Sequence, residues 1–158
     1  MKKQIMDQLL TKVRQELANA EAASADTSSY ARDGDVKSDG KYDTRGIEAG
    51  YLASAQQKRV EELKLELQML EETPLREFTY DDEVGLGALV DIDLHGQTRR
   101  YFLCSTAGGT ILNVDGTIVL VISIFSPLGD AVLGTRVGEV FELETPQGVR
   151  PYEVKSLI

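Results

Sequence analysis

The chain has 158 residues, is 42% hydrophobic, and carries a formal net charge of −9 with a single cysteine. That length and composition fit one or two small globular domains and exclude a disordered chain. The acidic balance argues against free nucleic-acid binding, because a phosphate-binding surface concentrates Lys and Arg, and the lone Cys104 excludes an internal disulfide.

The first residues, MKKQIMDQLL, lack the apolar run of a signal peptide. No stretch reaches the roughly 20 apolar residues that cross a bilayer. A cytoplasmic protein with no membrane partner is expected. Ile5, Leu9, Val13 and Leu17 then recur every four residues, which predicts one stripe of a first helix from residue 2 to the high 20s. Val60, Leu63, Leu67 and Leu70 recur in steps of three and four, the pattern of a coiled-coil seam, in a second helix over about 43–72. Two helices of matched length joined by a short polar turn pack antiparallel. Their stripes thin to alanine toward the turn, at Ala18, Ala20, Ala22, Ala23 and Ala25 and at Ala49, Ala53 and Ala55.

Between them lies DGDVKSDGKYDT, with Asp33, Asp35, Asp39 and Asp43 and little that is apolar. Asp and Gly are ordinary turn residues, so a solvated turn is the plain reading. An EF-hand needs oxygen ligands at positions one, three and five and a glutamate at twelve. Starting at Asp35 puts Lys37 at the third position and Gly46 at the twelfth; starting at Asp33 puts Lys37 at the fifth. Both registers fail. A narrow hairpin end can instead carry carboxylates to a Mg²⁺ held by another protein, since that ion takes oxygen ligands and keeps water-filled positions.

Pro74 disfavours helical geometry at Thr73, which divides the chain into residues 1–73, with an acidic tip near 33–43, and residues 74–158. The second part reads as short strands. Gly87–Asp93 and Thr98–Cys104 flank a turn at His95-Gly96. Asp115-Gly116 turns into the apolar run Thr117–Phe125 (TIVLVISIF), read as a central strand. Ser126 is an N-cap candidate, Pro127 fits the first helical position and Gly134 fits the position after the end, which predicts one short helix. Val137–Leu143 and Tyr152–Ile158 form a last pair. The fold class is α+β: a helical hairpin followed by a small antiparallel sheet with a helix on one face.

His95, the only histidine, has no second ligand at metal spacing and reads as a turn residue. Cys104, in RRYFLCST, reads as a buried, inert thiol. Gly108-Gly109 lacks any phosphate-binding pattern and reads as a turn.

Ile122–Ile158 resembles the C-terminal domain of the Gre transcript-cleavage factors of bacterial RNA polymerase. The cues are Ser126-Pro127-Leu128-Gly129, Ala131, Leu133-Gly134, Val137-Gly138, Thr145-Pro146, Gly148 and Tyr152-Glu153-Val154. The order of a helical hairpin followed by a small domain is similar over the whole chain. The resemblance implies an FKBP-like C-terminal domain. It implies docking at the rim of the polymerase secondary channel, with Ser126, Pro127, Leu128, Gly129 and Asp130 as contacts. It implies a hairpin that enters the channel and meets the RNA 3′ end only within that complex. In the family, two acids of a Gly-Asp-x-Ser-Glu-Asn stretch help to hold the second catalytic Mg²⁺ so that the polymerase cuts backtracked RNA. The counterpart here is Gly34-Asp35-Val36-Lys37-Ser38-Asp39-Gly40. Asp35 and Asp39 are therefore the expected Mg²⁺ ligands, donated to a metal the polymerase owns, with Asp33 and Asp43 behind them.

The stretch has one residue more than the family pattern, a shorter acid at Asp39, and Lys37 beside it. These departures leave a second expectation open: a channel binder that regulates by occupancy without cleavage. An FKBP-like domain also raises prolyl isomerisation, which needs an aromatic-lined pocket. Phe78, Tyr80, Tyr101, Phe102, Phe125, Phe141 and Tyr152 are the aromatics available, and they read as core or edge residues.

Overall fold

The computed structural model describes residues 1–32 and 45–158, and side chains within 1–26 and 46–158. The order is α1 (Lys2–Arg32), α2 (Arg45–Glu71), β1 (Leu89–Leu94), β2 (Gln97–Cys104), β3 (Ile111–Val114), β4 (Thr117–Ser123), α3 (Pro127–Val132), β5 (Val140–Thr145) and β6 (Gly148–Leu157). The chain forms two compact units, Leu10–Gln68 and Met1–Leu9 with Met69–Ile158.

The first unit is an antiparallel helical hairpin. As the partner on α1 advances from Glu16 to Ser24, that on α2 retreats from Arg59 to Gln57. Glu16 and Glu66 apart, the less exposed described positions follow a heptad seam: Leu10, Val13, Leu17, Ala20 and Ser24 on α1, and Ala49, Ala53, Gln56, Val60, Leu63 and Leu67 on α2. Their spacing alternates three and four, which keeps one face of each helix toward the other. Among the described residues of this unit, Val13, Val60 and Leu63 are the buried apolar ones.

The second unit is built on a six-stranded sheet of order β3-β4-β2-β1-β6-β5. β1 and β2 pair from Leu89↔Phe102 to Leu94↔Gln97. Their turn places His95 at φ 53° and Gly96 at φ 82°, both in the left-handed region that such two-residue hairpins demand. The Asp93 carboxylate accepts from the Gly96 N–H at 3.0 Å. One ladder departs from the expected antiparallel sheet: β2 and β4 run parallel, from Arg100↔Val119 to Cys104↔Ser123. The reason is β3, a four-residue strand that takes the edge position, so that β4 reverses once more and returns beside β2 in the same direction.

Both sheet faces carry buried apolar residues, which suits the apolar run of β4, although Ile118 near its start is 53% exposed. On one face Val90, Ile92, Tyr101, Leu103, Val154 and Leu157 form a core with Phe78, Val84, Ala88 and Val132. On the other, Leu89, Phe102, Cys104, Val114, Val119 and Val121 are buried. The start of α1 closes that second face: Ile5, Met6 and Leu9 are buried. The Gln4 amide donates to the Asp115 carboxylate at 2.8 Å, and the Gln8 amide to the Asn113 carbonyl at 3.1 Å. Lys2 lies 4.8 Å over the Phe78 ring, and burial lowers its pKa from 10.5. Among the described residues no helix is long and apolar enough to cross a membrane.

Candidate functional site

Asp33, Asp35, Asp39 and Asp43 lie outside the described residues. The other expected site, Ser126–Asp130, is described in full. It begins where β4 stops at Ser123. The Ile124 N–H still donates to the Cys104 carbonyl at 2.9 Å, Phe125 turns out to solvent, and Ser126 then starts α3 with extended dihedrals, φ −78° and ψ 157°. Its hydroxyl accepts from the Gly129 N–H at 3.1 Å and donates to the Ser123 carbonyl at 2.6 Å. One side chain thus caps the helix and ties it to the end of β4. Pro127 occupies the first helical position, where its missing N–H costs nothing.

Gly129 is set by close approach. A Cβ there would stand 1.9 Å from the Ser123 carbonyl oxygen. Beyond the helix, the Gly134 N–H donates to the Val84 carbonyl at 2.8 Å, and the Val84 N–H to the Thr135 carbonyl at 2.8 Å. Val132 is fully buried and Leu128 packs against the same core.

The five expected contact residues therefore divide by role. Ser126, Leu128 and Gly129 hold α3 in place, while Pro127 and Asp130 face solvent. Two neighbours join the exposed set: Phe125, 76% exposed, and Leu133, 41% exposed. Phe125 corrects its sequence reading as a core or edge residue. It ends the run TIVLVISIF, in which Ser123, where the strand stops, is the one polar residue after Thr117 and reads as an ordinary strand position. Tyr80, also read as core or edge, is 70% exposed. The segment Phe125–Leu133 thus offers an aromatic ring, a proline, a leucine and one carboxylate on a backbone fixed at both ends.

His95 is an exposed turn residue and Cys104 is buried. A cleft of about 610 Å³ is lined by Asp91, Thr98, Arg99, Arg100, Ile111, Thr117, Ile118 and Leu120, with no aromatic wall of the kind prolyl isomerisation needs. A smaller one, about 270 Å³, has Tyr101 and Tyr152 in its lining together with Arg99, Arg150 and Gln97, so its wall is not the apolar one prolyl isomerisation needs.

The family model for the transcription elongation factor GreA/GreB C-terminal region matches residues 79–158. The "transcription inhibitor protein Gfh1" of Thermus thermophilus is 30% identical over 125 residues, covering 77% of this chain and 76% of the relative. "Transcription elongation factor GreA" of Streptococcus gordonii is 35% identical over 78 residues, covering 48% of this chain and 44% of the relative. The crystal structure of GreA factor homolog 1 (Gfh1) of Thermus thermophilus aligns over 94% of each chain at 26% identity, with a TM-score of 0.39. With its C-terminal half matched by the family model and a relative sharing three-quarters of its length, the chain belongs to the GreA/GreB family of transcription elongation factors.

Proposed function

We propose that this chain acts on bacterial RNA polymerase as a regulator that occupies the secondary channel without stimulating RNA cleavage. Residues 74–158 dock, with exposed Phe125, Pro127, Asp130 and Leu133 as contacts, and residues 1–73 enter the channel. The observation that carries this reading is the reach of the likeness. Similarity to a protein named a transcription inhibitor extends over 77% of the chain, whereas similarity to a GreA covers 48%. The departures at Lys37, Asp39 and Gly40 from the family's acidic pattern point the same way. The chain is then not itself an enzyme, and it acts where the polymerase is, in the cytoplasm.

The acidic stretch favours a second reading, in which Asp35 and Asp39 assist cleavage and Asp33 and Asp43 support them. Carboxylates are hard oxygen donors that suit Mg²⁺. An ion held jointly with the polymerase would supply Lewis-acid assistance at a phosphodiester. The part of this chain is to present the two carboxylates to it.

Backtracked elongation complexes with Mg²⁺ test both readings. Under the regulator reading the protein leaves RNA length unchanged and blocks shortening by an authentic cleavage factor. Shortening by the protein alone, lost in the double Asp35→Ala, Asp39→Ala variant, establishes the cleavage reading. Neither competition nor shortening sinks both.

A further inference from the structure

The geometry points to a local opening mode in the hairpin: Ala18–Asp26 and Gly46–Gln57 part as one segment while the seam around Val13, Val60 and Leu63 stays closed. Four independent features converge on that segment. Its seam positions are Ala20, Ser24, Ala49, Ala53 and Gln56, none of them a large apolar residue, so closing it removes little apolar surface from water. Its larger apolar residues face solvent instead: Ile47, Tyr51 and Leu52 are 58%, 73% and 53% exposed.

The polar groups trapped in the seam are poorly met. Among the described residues the buried Gln56 Oε1 has no hydrogen-bond partner, and the buried Ser24 hydroxyl meets the Gln57 Oε1 at a long 3.4 Å. Parting the helices hydrates both, which offsets part of what opening loses. Finally, α2 carries Gly46 and Gly50 within this segment, and a Cβ on either would meet nothing within 4 Å. Among the described residues no steric demand explains them, yet Gly50 lies inside the helix, where glycine is among the least favourable residues.

The other half of the hairpin has the opposite character. Val13, Val60 and Leu63 are at most 3% exposed, and Arg59 of α2 reaches Glu16 of α1 at 3.3 Å. Such a contrast within one pair of helices separates units that open locally from units that open only with the whole fold. The second parting segment, Gly46–Gln57, begins three residues after Asp43, and the first ends seven residues before Asp33. A partner that grips one of them selects the closed or the parted form by its differential affinity; that consequence rests on the proposed function, and the opening itself does not.

Amide hydrogen exchange on the full chain tests the opening without polymerase. The amides of Gly50–Gln57 are expected to exchange at least about tenfold faster than those of Lys58–Leu67. Gln56→Leu, and separately Gly50→Ala, should slow the first set about threefold or more and leave the second set and the sheet unchanged. Equal exchange across α2 overturns the inference. So does a substitution that slows both halves alike, which would make the hairpin one cooperative unit. A gradient that neither substitution alters would assign the effect to end fraying and remove the seam from the explanation.

Discussion

Asp91 and Arg100 face each other across the β1–β2 ladder and form a two-pronged pair, with Nε to Oδ1 and Nη2 to Oδ2 both at 2.7 Å. The Ser156 hydroxyl on β6 donates to the same Oδ2 at 2.8 Å, so three strands meet at one carboxylate. The Arg100 hydrogen bonds are the main cause of a carboxyl pKa held below its ordinary 3.8; burial opposes them and Ser156 adds to them. The guanidinium is raised in return.

A carboxylate whose pKa is lower folded than unfolded stabilises the fold above the unfolded value and loses that contribution as pH falls through the folded one. Asp91→Asn is therefore expected to cost about 1.5–3 kcal/mol at neutral pH, the range for hydrogen bonds to charged groups. The gap between variant and parent should narrow as the pH drops below 3.8. Urea midpoints measured across that range check it, and a pH-independent gap would contradict it.

Gly129→Ala isolates the close approach of α3 to β4. The added Cβ would stand 1.9 Å from a backbone carbonyl and 3.0 Å from the Ile124 Cα, and backbone cannot swing aside as a side chain can. Overpacking of this kind costs about 1–3 kcal/mol, although alanine raises helix propensity. Chemical denaturation should show the loss. Unchanged or increased stability would mean that α3 moves freely relative to Ser123.

These two sites differ in how far the sequence discloses them. The Ser126–Gly134 cap, the His95-Gly96 turn and both long helices are local features, written in the residue types at fixed offsets, and the structure has them. The parallel β2–β4 ladder is not local. It depends on β3, whose four residues, Ile111–Val114, are too short to stand out as an alternating pattern, and one unseen strand reverses the direction of the next. Likewise, Ile5, Leu9, Val13 and Leu17 read as one stripe. The structure divides them between two units, because Ile5, Met6 and Leu9 close the sheet while the heptad seam of the hairpin runs from Leu10. The spacing hardly changes at that point, so periodicity gives no sign of the division. The Asp91 pair is invisible for a third reason: opposite charges nine residues apart meet only once the hairpin register is known.

Phe125 and Ser126 are neighbours with opposite expected phenotypes, which separates docking from folding. Ser126 caps α3 and bonds back to Ser123; Ser126→Ala should cost about 1 kcal/mol of stability and weaken polymerase binding only by loosening the segment. Phe125 is 76% exposed, so Phe125→Ala should shift stability by no more than about 0.5 kcal/mol. If the ring docks into a pocket on the polymerase, as exposed aromatics at interface centres do, affinity should fall by at least about tenfold. Fluorescence anisotropy of labelled protein titrated with polymerase, read beside urea melts, resolves the two. Full affinity in a stably folded Phe125→Ala protein would move the docking surface away from this face of α3.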